Sequence, residues 1–339
     1  MVQLTFGPWS DADVAFDPTG RRIAYASNRL GTYDIWVVNV DGRHVRQLTG
    51  LSGDERRPVW SSDGKHIAFV TQNESAASLW IVGSDGKDPR RVSMHTQIGV
   101  VEWQPQGKLI AYEALDNSRW SVWTAWEDSM LTTRLPCSAD HCRYPAWGPD
   151  ASTIFYVTRQ DNASNIRMIT LGKGDRSISL ISGSIPGLSV SPNGEYVAFI
   201  LNKGGEWGPW AEWGLWVILR TGDTVMPILT FAQGFSAIPE TKPSWSANGK
   251  SVMSIGQLNY GYQGADIVVA PFRPEGYKVD PYSGLSNVVF TRVTGGQGIV
   301  TSFSPSPTSD SLAYAFTVDG SSHLWIILKA KPASPYGGS

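Results

Sequence analysis

The sequence predicts an all-β fold, a seven-bladed β-propeller with four-stranded antiparallel blades. Three observations predict it: a motif that recurs seven times, a strand-rich pattern inside each copy, and an opening segment that matches the end of an internal copy. The motif is an aromatic or apolar anchor, a Ser/Asp-Pro pair or a variant, an Asp/Asn-Gly turn, and a short apolar strand. Its copies read AFDPTGRRIAYA from Ala15, VWSSDGKHIAFV from Val59, EWQPQGKLIAYE from Glu102, AWGPDASTIFYV from Ala146, SVSPNGEYVAFI from Ser189, SWSANGKSVMSI from Ser244 and SFSPSPTSDSLAYAF from Ser302. The anchors Phe16, Trp60, Trp103, Trp147, Val190, Trp245 and Phe303 are spaced by 44, 43, 44, 43, 55 and 58 residues. Four-stranded repeats of roughly 40–45 residues are propeller blades.

Each copy supplies its strands in the same order. One run precedes the DPTG-like turn and one follows it. A third run ends in a turn, as in DIWVVNVDG, SLWIVGSDG, SVWTAWEDS and HLWIILKAK. A fourth, such as VRQLT or RRVS, closes most copies. β-Branched and aromatic content suits strands, and the Asp-Gly and Asn-Gly pairs suit tight hairpins. The last copy lacks a fourth run, whereas the chain opens with VQLT, a match to VRQLT at Val45 to Thr49. Val2 to Thr5 is therefore expected to complete the last blade and remove an open sheet edge. On this reading residues 1–330 are one propeller, with blades starting near residues 13, 57, 100, 144, 187, 242 and 300, and 331–339 are a flexible tail.

Composition limits the function. The chain of 339 residues is 41% apolar and 17% charged, with a net charge of −2. No Lys/Arg stripe offers an electrostatic footprint for nucleic acid, and no apolar run approaches the ~18 residues of a membrane span. The opening MVQLTFGPWSD has neither the basic nor the apolar stretch of a signal peptide, so a secretory leader is expected to be absent or already removed. The two cysteines, Cys137 and Cys142, stand in CSADHC. They either close a small disulfide, which implies an oxidising compartment, or are free thiols sharing a loop.

The runs SSDGKHIAFV, SPNGEYVAFI and DPTGRRIAYASNRLGTYDIWVVNVDGRHVRQLT resemble the TolB-type (WD-like) β-propeller repeat family. Similar repeats occur in the propellers of prolyl-oligopeptidase-like peptidases. The resemblance covers nearly the whole chain and carries the fold. It implies a periplasmic or extracellular location and a protein, peptide or glycan partner. The resemblance implies that α/β domains accompany these propellers in both groups, and none is expected within these 339 residues. Three copies depart from the motif, at Gln104 to Gly107, Pro149 to Ala151 and Pro305 to Pro307.

Propeller geometry puts the longer, chemically varied loops on one face, where binding is expected. The distinctive element there is GGEWGPWAEWG, an insertion with Trp207, Trp210 and Trp213; the next blade inserts LNYGYQGAD, with Tyr260 and Tyr262. Exposed aromatics of this kind stack on sugars or peptides and anchor interfaces, or they fold back over a blade edge. Trp120 and Arg29 are further ligand candidates on this face. For Arg29, in SNRLGTYD, the resembling repeats point first to pairing with a neighbouring blade, and Asp54 to Arg57 read as a solvated or salt-bridged loop. No HExxH, GxSxG, P-loop or GxGxxG context is present. His95 and His141 on the loop face fall short of three convergent metal ligands, so no metal or cofactor is assigned. The expectation is a monomeric, non-enzymatic binding module. The alternatives are a lyase- or glycosidase-type enzyme, or a substrate-gating or sensor propeller cut from a larger protein.

Overall fold

In a computed structural model the described residues are 1–129, 131–137, 139, 141–203, 213–230, 234–238, 241–258, 264–276, 289–295 and 298–328. They form seven antiparallel sheets and no α-helix. The innermost strands are Asp11–Phe16, Asp54–Trp60, Gln97–Trp103, Cys142–Trp147, Leu188–Val190, Phe235–Ala237 with Ser244–Trp245, and Ile299–Pro305. Each touches the next, and the last returns to the first. The second strand of each blade is covered on both sides by neighbouring blades. Ile23 to Ala26, Ile67 to Phe69 and Val197 to Ile200 are accordingly all sealed from solvent, which is why these runs are continuously apolar instead of alternating.

The recurrent motif is a turn device. In blade one Asp17 accepts the amides of Arg21 and Arg22 at 2.9 and 3.1 Å, while the Gly20 amide returns to the Asp17 carbonyl at 2.9 Å. Burial opposes ionisation of Asp17. The Arg22 and Arg21 amides and the Arg22 side chain outweigh it and hold the carboxyl below its usual range. Ser61, Gln104, Ser191 and Ser246 accept the amide five residues ahead in the same way. Gly20 and Gly64, both at φ +69°, supply the left-handed turn position. In blade four Ala151 takes that position at φ +52°, and Asp150 holds the amides of Ser152 and Thr153.

The tryptophan anchors staple blades together. Trp60 Nε1 donates to the Ala15 carbonyl at 3.1 Å, Trp147 Nε1 to Glu102 at 3.3 Å and Trp245 Nε1 to Ser189 at 3.1 Å. Each bond runs one blade back along the ring, so these three Trp fill the inter-blade core and satisfy their own indoles, whereas the buried Trp103 Nε1 meets no acceptor among the described residues.

The ring closes where the sequence predicts. Val2 and Gln3 pair with Ile326 and Trp325, and the Leu4 amide donates to the Leu324 carbonyl at 2.8 Å. Leu4 is buried among Val14, Phe16, Tyr25, Leu324 and Ile326. The Thr5 hydroxyl accepts the Leu324 amide at 2.8 Å and donates to the buried Asp11 carboxylate. The expected tail, 331–339, lies outside the described residues. Deleting residues 1–6 should lower stability by on the order of 4 kcal/mol, from the exposed Leu4 site and the loss of the Thr5 hydroxyl from the buried Asp11. Urea melts of the full and shortened chains measure this, and coincident curves would contradict the seam.

Candidate functional site

The inner strands share an irregularity near the long-loop face. Their ladder skips between Ala12 and Ala15, Arg56 and Val59, Ile98 and Val101, Arg143 and Ala146, and Val300 and Ser302. These are β-bulges, which re-aim side chains out of a ladder. Asp13, Arg57 and Tyr144 occupy the bulged position at φ +53°, +56° and +57°. In sequence they stand three residues before the anchor, as do Val100, Gly187 and Lys242. These six residues, one from each of blades one to six, line one cavity of about 600 Å³. In blades two, four and six the next residue is proline, in RPVW, YPAW and KPSW. Proline suits a bulge because it needs no ladder partner.

The charged groups of the cavity are largely paired. Arg56 Nε binds Asp13 at 2.6 Å, its guanidinium lies 4.2 Å from the Tyr33 ring centre, and the Arg57 amide also reaches Asp13 at 3.1 Å. Glu113, 2% exposed at the side chain, binds Arg143 at 3.0 Å. It also accepts the Val100 and Tyr144 amides at 3.2 and 2.7 Å. Arg143 is held between aromatic faces, 4.1 Å from Trp120 and 4.6 Å from Tyr144. Lys242 meets the Glu102 carboxylate. Crowding by the cavity walls lowers the Lys242 pKa to about 8. Because 42% of its side chain stays accessible and Glu102 favours the cation, Lys242 is the ammonium at neutral pH. Arg57 differs: its guanidinium donates to the carbonyls of Ile98 and Gly99 at 2.7 and 3.2 Å, and among the described residues it has no carboxylate partner.

Of the residues singled out from sequence, Trp120 lines this cavity. Arg29 is engaged within blade one and not with a neighbouring blade, because the carboxylate it meets, Asp11, opens its own blade. It binds Asp11, Tyr25 and Ser27 at 3.3, 2.9 and 2.9 Å and lies 4.3 Å from the Trp36 ring centre and 4.9 Å from that of Trp9. Trp213 opens the third strand of blade five and packs, half-buried, against the core between blades five and six. Trp207, Trp210, Tyr260 and Tyr262 lie outside the described residues. Asp54 to Arg57 form the start of a strand and not a loop, because Glu55 is drawn inward by Thr49 and by the Leu51 amide. Cys137 and Cys142 are joined as a disulfide with Cα atoms 6.5 Å apart. His95 binds Asp116 at 2.6 Å and Tyr112 at 3.1 Å, while His141 accepts the Trp120 amide at 3.2 Å. The two histidines therefore serve separate structural bonds. Sequence reasoning missed Arg57, Tyr144 and Lys242 as a set; the recurring X-Pro-x-Trp was the signal that could have found them.

The model of the TolB β-propeller domain matches residues 10–171. No curated protein matches the chain in sequence. Among solved structures, the β-propeller domain of the Trilobed protease from Pyrococcus furiosus is 14% identical, with a TM-score of 0.65 over 95% of this chain and 94% of that one. Acylaminoacyl peptidase from Pyrococcus horikoshii is 12% identical, at 0.64, over 94% of this chain and 51% of that one. TolB from Acinetobacter baumannii is 16% identical, at 0.53, over 75% of this chain; the match spans 62% of that TolB. At these identities the likeness is one of fold.

The wall of the cavity depends on a glycine. A Cβ on Gly99 would fall 1.9 Å from Glu113 Oε1. Gly99→Ala should displace Glu113 from Arg143 and the two amides, costing about 3 kcal/mol as a broken buried pair. Denaturant melts of this variant check the value, and a loss below ~1 kcal/mol would show that Glu113 moves freely.

Proposed function

Because residues 10–171 carry repeats of the TolB β-propeller family and the full ring has the same fold, we propose that this chain is a protein-interaction module. It receives an extended, carboxylate-bearing polypeptide segment at the channel mouth. The observation that carries the reading is Arg57, a cation at a left-handed bulge in a cavity where the other cations already have carboxylate partners. A guanidinium whose described partners are two carbonyl oxygens has donors left for an incoming carboxylate.

Other features support a peptide. A volume of about 600 Å³ is in the range of pockets that hold a small ligand or a few residues. Trp120, Arg143 and Tyr144 offer a rigid stacked surface, which binds at little entropic cost. Pro58, Pro145 and Pro186 in the lining present no amide donors and suit apolar side chains between the charged points. The aromatics of the blade five and six insertions, Trp207, Trp210, Trp213, Tyr260 and Tyr262, are proposed to extend the contact beyond the mouth. The disulfide favours an oxidising, periplasmic or extracellular setting.

Fluorescence anisotropy with one proline-containing peptide in Glu-rich, Gln-rich and Lys-rich versions tests this. The Glu-rich version should bind tightest, and Arg57→Ala should weaken it about tenfold without lowering the melting temperature, since Arg57 is exposed. Equal binding of the Glu-rich and Lys-rich versions, or indifference to Arg57→Ala, would refute the reading.

A further inference from the structure

We propose that Lys242 and Glu102 form a latch across the channel, and that an acidic segment binds by drawing Lys242 away from Glu102. This rests on the cavity being a peptide site and adds how it selects its ligand. Glu102 belongs to the inner strand of blade three and Lys242 precedes the inner strand of blade six. Blades three and six are not neighbours on either side of the ring, so their contact crosses its axis.

The two partners are unequal. Glu102 is fixed: its second oxygen accepts the Trp147 amide at 3.0 Å, its carbonyl accepts Trp147 Nε1 at 3.3 Å, and its side chain is only 17% exposed. Lys242 is the movable partner, a flexible four-carbon stem with 42% of its side chain accessible and with its residue in the cavity lining. The pair is open to the cavity on its lysine side, so a new anion can reach and compete for the ammonium. Arg57 lines the same cavity and would receive a first carboxylate. A segment with a second carboxylate would then take over Lys242, leaving Glu102 bound to the Trp147 amide. A neutral segment gives Lys242 nothing in exchange and leaves the latch shut. The site therefore discriminates by the number of carboxylates, favouring segments with several Asp or Glu residues over those with one.

Glu102→Gln tests the latch, because the amide oxygen still accepts the Trp147 amide while the charge that holds Lys242 is gone. Anisotropy titrations would use the Glu-rich and Gln-rich peptides against the wild-type chain, Glu102→Gln and Lys242→Met. Glu102→Gln should bind the Glu-rich peptide about 3- to 10-fold tighter and the Gln-rich peptide no differently. Lys242→Met, at an accessible position, should bind the Glu-rich peptide about tenfold more weakly than wild type. A wild-type chain that prefers the Glu-rich peptide but gains nothing from Glu102→Gln overturns the latch and leaves the peptide site standing. So does a Lys242→Met chain with wild-type affinity. Failure of all three chains to bind the Glu-rich peptide overturns both.

Discussion

The ring depends on a threonine hydroxyl shared between a backbone amide and a buried carboxylate. Thr49 accepts the Ile35 amide and donates to Glu55, Thr5 does so with Leu324 and Asp11, and Thr294 with Ile267 and Asp266. All three carboxylate residues are sealed from solvent. In the first two cases the carboxylate opens the next blade, so the bond couples an outer strand to its neighbour. A buried carboxylate without donors is costly, and this cost makes the arrangement all-or-none. Burial pushes the Glu55 carboxyl up, against the Thr49 hydroxyl and the Leu51 amide. Asp11 gains Arg29 and Asp266 gains Arg292. The position of Arg29 beneath Trp9 and Trp36 thus follows from the need to neutralise Asp11.

That rigidity is what allows the cavity to exist. The bulged positions of blades one, two and four hold non-glycine residues in the left-handed region, a strained choice that persists only where surrounding structure enforces it. The enforcement is visible. Asp13 is fixed by Arg56, Tyr144 by Glu113, and the following prolines in blades two and four release the ladder without leaving an unpaired amide. Strain in blades one, two and four turns Asp13, Arg57 and Tyr144 toward the axis, and the cavity lining is assembled from six blades, none of which could form it alone.

The fold was legible because its signals are local. The Asp or Ser that accepts an amide five residues ahead, the turn glycine, and the anchor Trp each act within one hairpin or across one blade boundary. The seam was legible for the same reason: VQLT repeats a threonine clasp that VRQLT forms internally. The site was less legible. Trp120 reads as a loop-face residue and lines the cavity, whereas Arg29 reads as pairing with a neighbouring blade because its partner Asp11, in its own blade, is buried only after the ring closes. Glu55 read as part of a charged loop although the Thr49 clasp pulls it inside. Lys242 and Glu102 are far apart in sequence and meet only across the finished ring. The one local trace of the cavity was proline between the channel-facing residue and the anchor in RPVW, YPAW and KPSW. It marks the bulge, but not the direction in which the bulge points.

The charges then divide by what holds them. Arg56, Arg57, Arg143 and Lys242 face the carboxylates Asp13, Glu102 and Glu113, one cation in excess. Arg143 is immobilised by two aromatic faces and a buried carboxylate that also caps two amides, so withdrawing it would orphan Glu113. Arg56 is stacked on Tyr33 and fixed to Asp13. These two belong to the scaffold, Arg143 in the lining and Arg56 as the brace of the lining residue Asp13. Arg57 and Lys242 do not: one is bound to carbonyls, the other to a carboxylate through a flexible stem. A ligand anion entering this cavity can thus be met by two cations without dismantling the scaffold that presents them, which separates the energy of binding from the stability of the ring.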